Sequence, residues 1–178
     1  MSIFTDRMIR ASKLDPALYR EVEADRTAMN QAVGVVLLSS LAAGIGTIGQ
    51  GGVPGFILGI VGALGGWLLW AFLTYFIGTR LLPTAKTEAD YGQLLRTIGF
   101  SSAPGLIRVI GIIPGLAGIV FFISGIWMLA AMVIAVREAL DYDSTLRAVG
   151  VCLIGWIVQA IVLALVFSVF GTPGQVAA

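Results

Sequence analysis

Histidine is absent from the 178 residues, and cysteine occurs once, at Cys152 inside the apolar run Val149–Phe170. Within a single chain this excludes disulfide frameworks, zinc sites and cysteine–histidine nucleophiles. Charge is scarce as well, at 12% of residues against about 25% in ordinary soluble domains. The lysines and arginines of the N-terminus are interleaved with acids, so no basic cluster of nucleic-acid type forms and no nucleic-acid partner is expected. No aspartate or glutamate falls inside an apolar stretch, which argues against a proton- or sodium-coupled carboxylate relay. The N-terminus does not read as a signal peptide either, because Met1–Asn30 is polar and the first apolar run starts only near Ala32.

Apolar residues fill the space that charge leaves. They make up 58% of the chain, against about 45–50% in soluble domains, and the mean hydropathy is +0.96. A water-soluble fold of this length has no interior large enough to hide that surface. Glycine contributes 23 residues, costly in soluble helices but common where membrane helices pack backbone to backbone. Both excesses place the chain in a bilayer.

The apolar stretches run roughly Ala32–Gly49, Val53–Ile77, Ile98–Ile113, Leu116–Val136 and Ala148–Phe170. A spanning helix needs about 20 residues, which four of them supply. The third is short and holds Ser101, Ser102, Pro104 and Arg108, so it either crosses as a proline-broken helix or re-enters on the side it left. The expected fold is an all-α bundle of five transmembrane helices. Its three parts are a cytoplasmic amphipathic segment over 1–30, a transmembrane domain over 31–171 and a short tail over 172–178 on the non-cytoplasmic side.

Charged residues fall into three blocks, Asp6 to Arg26, Arg80 to Asp90 with Arg96, and Arg137 to Arg147, while the segments 50–54, 111–115 and the tail after Phe170 carry none. Five spans put every block on one side. The positive-inside rule makes that side the cytoplasm, with the N-terminus inside and the C-terminus outside, here across a bacterial inner membrane. Of the 11 basic residues only Arg108 escapes the blocks.

Local signals refine the polar segments. Asp15-Pro16 caps a helix running to about Glu23, and Ile3, Phe4, Met8 and Ile9 beside Asp6, Arg7 and Arg10 suggest a short amphipathic helix on the membrane face. Thr87-Glu88-Ala89-Asp90 has the form of a capping box ahead of Tyr91, Leu94, Leu95 and Ile98 at helical spacing.

Arg108 lies ten residues past Ile98, about 15 Å inward on a straight helix and near mid-bilayer. A cation there costs roughly 2.5–3.5 kcal/mol on insertion scales, so it either anchors a polar site or snorkels to the outer head groups. The candidate polar or lipid site comprises Arg108, Ser101, Ser102 and Gln159, with Ser124 and backbone carbonyls freed by Pro104 as further acceptors. Gly55, Gly59, Gly62 and Gly66 line the second span at i, i+4 spacing and are expected to pack a neighbouring helix, inside the chain before any dimer. The four tryptophans read as packing or interfacial-belt residues. No catalytic residue, cofactor site or metal site is expected.

Three segments resemble bacterial members of the Yip1 domain family: Leu14-Asp15-Pro16-Ala17-Leu18-Tyr19-Arg20-Glu21-Val22-Glu23, Ala89-Asp90-Tyr91-Gly92-Gln93-Leu94-Leu95-Arg96-Thr97-Ile98-Gly99-Phe100 with Ala103-Pro104, and Val136-Arg137-Glu138-Ala139-Leu140-Asp141-Tyr142. The resemblance covers almost the whole chain and implies a cytoplasmic N-terminus and five closely spaced spans. For eukaryotic relatives it implies work in vesicle traffic through prenylated Rab-type GTPases, often through a long cytosolic N-terminal region. With about thirty residues before its first span and motifs of bacterial type, this chain is not expected to carry that role over.

The expected function is that of a non-enzymatic membrane scaffold or interaction protein. Its partners would be membrane lipids and another membrane protein or a second copy of the chain. The alternative is a small-solute or lipid transporter or channel built around Arg108, although no second interrupted stretch marks an inverted repeat.

Overall fold

The computed structural model describes residues 2–170, without the side chains of 48–55, 163, 166, 167, 169 and 170. The tail over 172–178 lies outside the described residues.

Two short helices open the chain. α1 (Ile3–Ser12) starts under Ser2, whose hydroxyl accepts from the Thr5 N–H, and α2 (Pro16–Ala24) starts under Asp15, whose carboxylate accepts from the Ala17 N–H at 2.9 Å. Proline at the first helical position loses no helix bond there. Leu14 turns the chain at φ 61, with the Asp15 N–H on the Arg10 carbonyl, a left-handed cap that is rare without glycine. Neither helix is a loose surface segment: Ala11, Leu18, Tyr19 and Val22 are fully buried, while Ile3 and Ile9 stay exposed.

Among the described residues, four helices are long and apolar enough to cross a membrane by length and composition, over Arg26–Gly46, Phe56–Leu81, Ala117–Ala139 and Thr145–Val162. The corresponding elements are α3 (Met29–Gly46), α4 (Ile48–Phe76, extended by a π turn over Ile77–Leu81), α6 (Ala117–Ala139) and α7 (Thr145–Phe170). The break between the first two falls at Thr47, ahead of the uncharged segment at 50–54.

The third apolar stretch is built differently. α5 (Tyr91–Phe100) begins with a capping box of Asp90 and Gln93, three residues later than the sequence pattern at Thr87 suggests; Thr87 instead closes a turn on Thr84. After Phe100 the chain turns through Ser101 and Ser102 and continues as a 3-10 helix over Ala103–Ile112. Pro104 has no N–H to give an α-helix, which favours the change of winding where it occurs.

This stretch lies along α3 in the same direction. Gly99 meets Ala32, Gly105 meets Ser39 and Gly111 meets Gly46. Those 14 residues of α3 rise about 21 Å. The matching 12 residues of the third stretch would rise about 18 Å as α-helix, and the 3-10 rise of about 2.0 Å per residue makes up the difference. Among the described residues, packing between α3 and the 3-10 helix is the most extensive.

Glycines at this contact, not the i, i+4 series on α4, provide the close approach. A Cβ on Gly99 would sit 2.8 Å from the Ala32 Cβ, and one on Gly46 would overlap the Arg108 carbonyl. Among the described residues, a Cβ on Gly59, Gly62 or Gly66, three of the α4 glycines expected to pack a neighbouring helix, meets nothing within 4 Å. Gly55 lies outside the described side chains. α4 packs through Trp67, Trp70, Ala71, Thr74 and Ile77 in its second half, while Ile57, Leu58 and Val61 ahead of them are exposed.

Candidate functional site

Two polar regions stand out from the apolar bundle. At one end the three charged blocks meet. Arg7, almost fully buried, bonds Glu21 and Asp25 at 2.8 Å each and the Gln31 side chain at 3.0 Å, tying α1 to α2 and α3. Arg20 reaches 118 residues along the chain to Glu138 at 2.5 Å, and Arg137 bonds the other oxygen of the same buried carboxylate. Lys86 pairs with Asp143 at 3.0 Å, and Arg147 donates to the Pro83 carbonyl at 3.1 Å. Arg96, 6% exposed, donates to the Val22 carbonyl at 2.9 Å and to that of Glu23. Tyr142 closes the π turn by donating to the Gly78 and Leu82 carbonyls.

Electrostatics at this end are uneven. Burial, then the like charge of Asp141, raise the Glu23 carboxyl to about 7, with Glu138 and Asp90 adding and Arg96 opposing. Bonds from the Thr27 hydroxyl and from Arg7 hold Asp25 down to about 2. Beside Glu138 opens a cleft of about 490 Å³ that presents Arg20, Lys86, Arg137, Asp141 and Asp143 to the exterior.

The second region is inside the bundle around Arg108. Gly105 has no side chain, so the guanidinium folds back over its own turn; a Cβ there would overlap the Ser39 Oγ and the Arg108 Nη2. Nε donates to the Gly105 carbonyl at 3.0 Å, while Nη2 donates to the Ser39 Oγ at 2.6 Å and the Ser39 carbonyl at 3.3 Å. The Phe121 ring lies 5.9 Å from the cation. Among the described residues no carboxylate pairs with it.

A cavity of about 300 Å³ adjoins the guanidinium, lined from α3 by Ser39 and Ser40, from α4 by Gly66, Trp67 and Trp70, and from α6 by Met128 and Met132. Ser102, Gln159 and Trp156 also line it. Three of the four expected site residues thus share one cavity. Ser101 does not: its hydroxyl is buried on the Ile98 carbonyl. Ser124 is also elsewhere, bonded to the Phe121 carbonyl. The partner that sequence reasoning missed is Ser39, and its signal was the Ser39-Ser40 pair in an otherwise apolar first span.

The tryptophans divide by role. Trp67 donates to the Leu95 carbonyl at 3.1 Å and fixes α5 to α4, and Trp127 donates to the Ser12 carbonyl at 2.7 Å and holds α1. The indole N–H of Trp70, on the cavity wall and 5% exposed, has no acceptor among the described residues.

Among known families, the model of the Yip1 domain matches residues 17–167. No curated protein and no solved structure matches the chain.

Proposed function

We propose that this chain, which belongs to the Yip1 domain family, is a five-pass, non-enzymatic membrane protein whose charged end faces the cytoplasm as a docking platform for a protein or lipid partner. The observation that carries the reading is the convergence of all three charged blocks on one end of the bundle, through Arg20–Glu138, Lys86–Asp143 and Arg96 on the α2 carbonyls. Ten of the 11 basic residues belong to these blocks, so the positive-inside rule assigns that end to the cytoplasm. The register of the third stretch against the full length of α3 supports a crossing over a re-entrant loop, and a fifth crossing is what brings the last charged block back to the first two.

A reporter active only in the cytoplasm should be active when inserted beside Lys86 and silent when fused after Ala178. Photo-crosslinkers at Lys86 and Asp143 should each give a discrete partner adduct that the same probe at the lipid-facing Ile161 does not. An active reporter after Ala178 overturns the topology, and cap probes that behave like Ile161 overturn the platform.

The cavity around Arg108 favours a second reading, transport of a small solute or lipid. It requires flux in proteoliposomes that Arg108→Leu abolishes.

A further inference from the structure

The strongest unassigned feature of the molecule is a cation inside an apolar bundle with spare donors, no carboxylate and a cavity beside it. Arg108 carries five N–H donors, of which Nε and Nη2 are engaged and Nη1 has no acceptor among the described residues. On the same wall, among the described residues, Trp70 holds a buried N–H without an acceptor, and Ser102 and Gln159 add polar side chains to the lining. A site rich in donors, singly positive and free of acids is complementary to an anion.

Access to it is sideways. Gly59 and Gly62 stand open ahead of Gly66 on α4, and beyond Trp156 the described side chains of α7 are mostly exposed, including Ile157, Ile161 and Leu165. The cavity opens as a gap between Ala63 and Gly66 of α4 and Trp156 and Gln159 of α7, and the described Ile157, Ile161 and Leu165 beyond it, toward the uncharged end, are apolar. Along α3, Ser39 sits seven residues, about 10 Å, from that end at Gly46. Apolar walls leading from the bilayer to a buried cation fit an amphiphile whose anionic group binds Arg108 and whose chains occupy the gap.

We propose that the Arg108 cavity binds one anionic phospholipid, with its phosphate on the guanidinium and its acyl chains between α4 and α7. The site is independent of the cytoplasmic platform, so either can fail without the other. Binding neutralises a charge that is otherwise costly at that depth, and the lipid enters from the half of the bilayer opposite the charged cap.

The test is native mass spectrometry of the delipidated protein in detergent, titrated with phosphatidylglycerol, phosphatidylcholine or inorganic phosphate. One phosphatidylglycerol should bind at least tenfold more tightly than phosphatidylcholine, and millimolar phosphate should neither bind nor compete. Arg108→Gln should abolish the preference. Gly66→Leu, which fills the cavity and leaves Arg108 in place, should weaken phosphatidylglycerol at least tenfold, and it decides the question where Arg108→Gln fails to fold. Equal binding of the two lipids overturns the proposal, as does retention of the preference in the folded variants. Phosphate that binds alone and displaces the lipid would reassign the site to a free anion and equally overturn it.

Discussion

Arg96→Met removes the side chain that fastens the end of α2 to α5. The Val22 and Glu23 carbonyls it binds belong to the last turn of α2, where no helix N–H remains to satisfy them. A hydrogen bond from a charged donor contributes about 1.5–3 kcal/mol, and a carbonyl left buried and unpaired costs about 1–3 kcal/mol. Methionine retains the apolar stem, and the relief of burying a guanidinium offsets part of the loss, which leaves a net destabilisation of about 3 kcal/mol. At roughly 2–4 °C per kcal/mol for a chain of this size, the melting temperature should fall by about 6–12 °C.

Cys152 provides the assay. It is the single cysteine and 4% exposed, so a thiol-reactive dye reports loss of the fold without labelling the native state. Arg96→Lys keeps the charge but not the planar fork, and should lose about half as much. A melting temperature for Arg96→Met within about 2 °C of the parent would refute the reasoning, because it would mean that the α2 carbonyls need no partner.

Three further outcomes are expected. The Glu23 carboxyl, raised to about 7 chiefly by burial, binds its proton more tightly folded than unfolded, so its stabilisation is full below about pH 4.5 and is lost as pH rises through about 7; melting curves from pH 5 to 8 should show this decline in the parent and not in Glu23→Gln. Gly99→Ala should cost about 1–3 kcal/mol by forcing α5 off Ala32, whereas Gly62→Leu, on an open face, should melt within about 2 °C of the parent; the reverse order would mean that α4 and not α3 makes the tight contact. Asp141 holds φ 51 at the end of α6, so Asp141→Gly should stabilise by up to about 1 kcal/mol in the same thermal assay and draw the Glu23 carboxyl downward.

The membrane class, the helical spans and the sharing of one end by the charged blocks were legible because composition and charge spacing act over whole segments. Individual starts were legible where one side chain makes the cap: Asp15-Pro16 begins α2 as written. The box at Thr87 was misplaced because Asp90 has its own partner three residues on, in Gln93, and a threonine–threonine turn satisfies the residues before it. The glycine series on α4 is a different case. Spacing shows which helix face is smooth but not whether another helix reaches it, and at Gly59, Gly62 and Gly66 no described neighbour does. The glycines that do bring backbones together, Gly46, Gly99 and Gly105, follow no i, i+4 rule, because they are shared between α3 and a third stretch that changes from α-helix at Gly99 to 3-10 helix at Gly105.

The same change of winding explains what could be read of Arg108. Counting at 1.5 Å per residue from Ile98 puts it about 15 Å inward, and Ser39, ten residues past Met29 on α3, lies about 15 Å along that helix, so the depth was readable. Its direction was not. On an α-helix the side chain would rise over the preceding turn on a face fixed by 100° steps, and the neighbouring serines 101 and 102 would be natural companions. In the 3-10 helix three residues make a turn, which stacks Arg108 on Gly105, and the missing side chain there leaves the room through which the guanidinium reaches Ser39. Gly105→Ala therefore separates a designed path from a fortuitous one. It should displace the guanidinium from Ser39 and cost about 1–3 kcal/mol, with Arg108→Leu adding little further loss in the double variant, since both changes break one contact. Additive losses from Gly105→Ala and Arg108→Leu would mean that the two residues act separately, and that Arg108 is held in the bundle by something other than the turn beneath it.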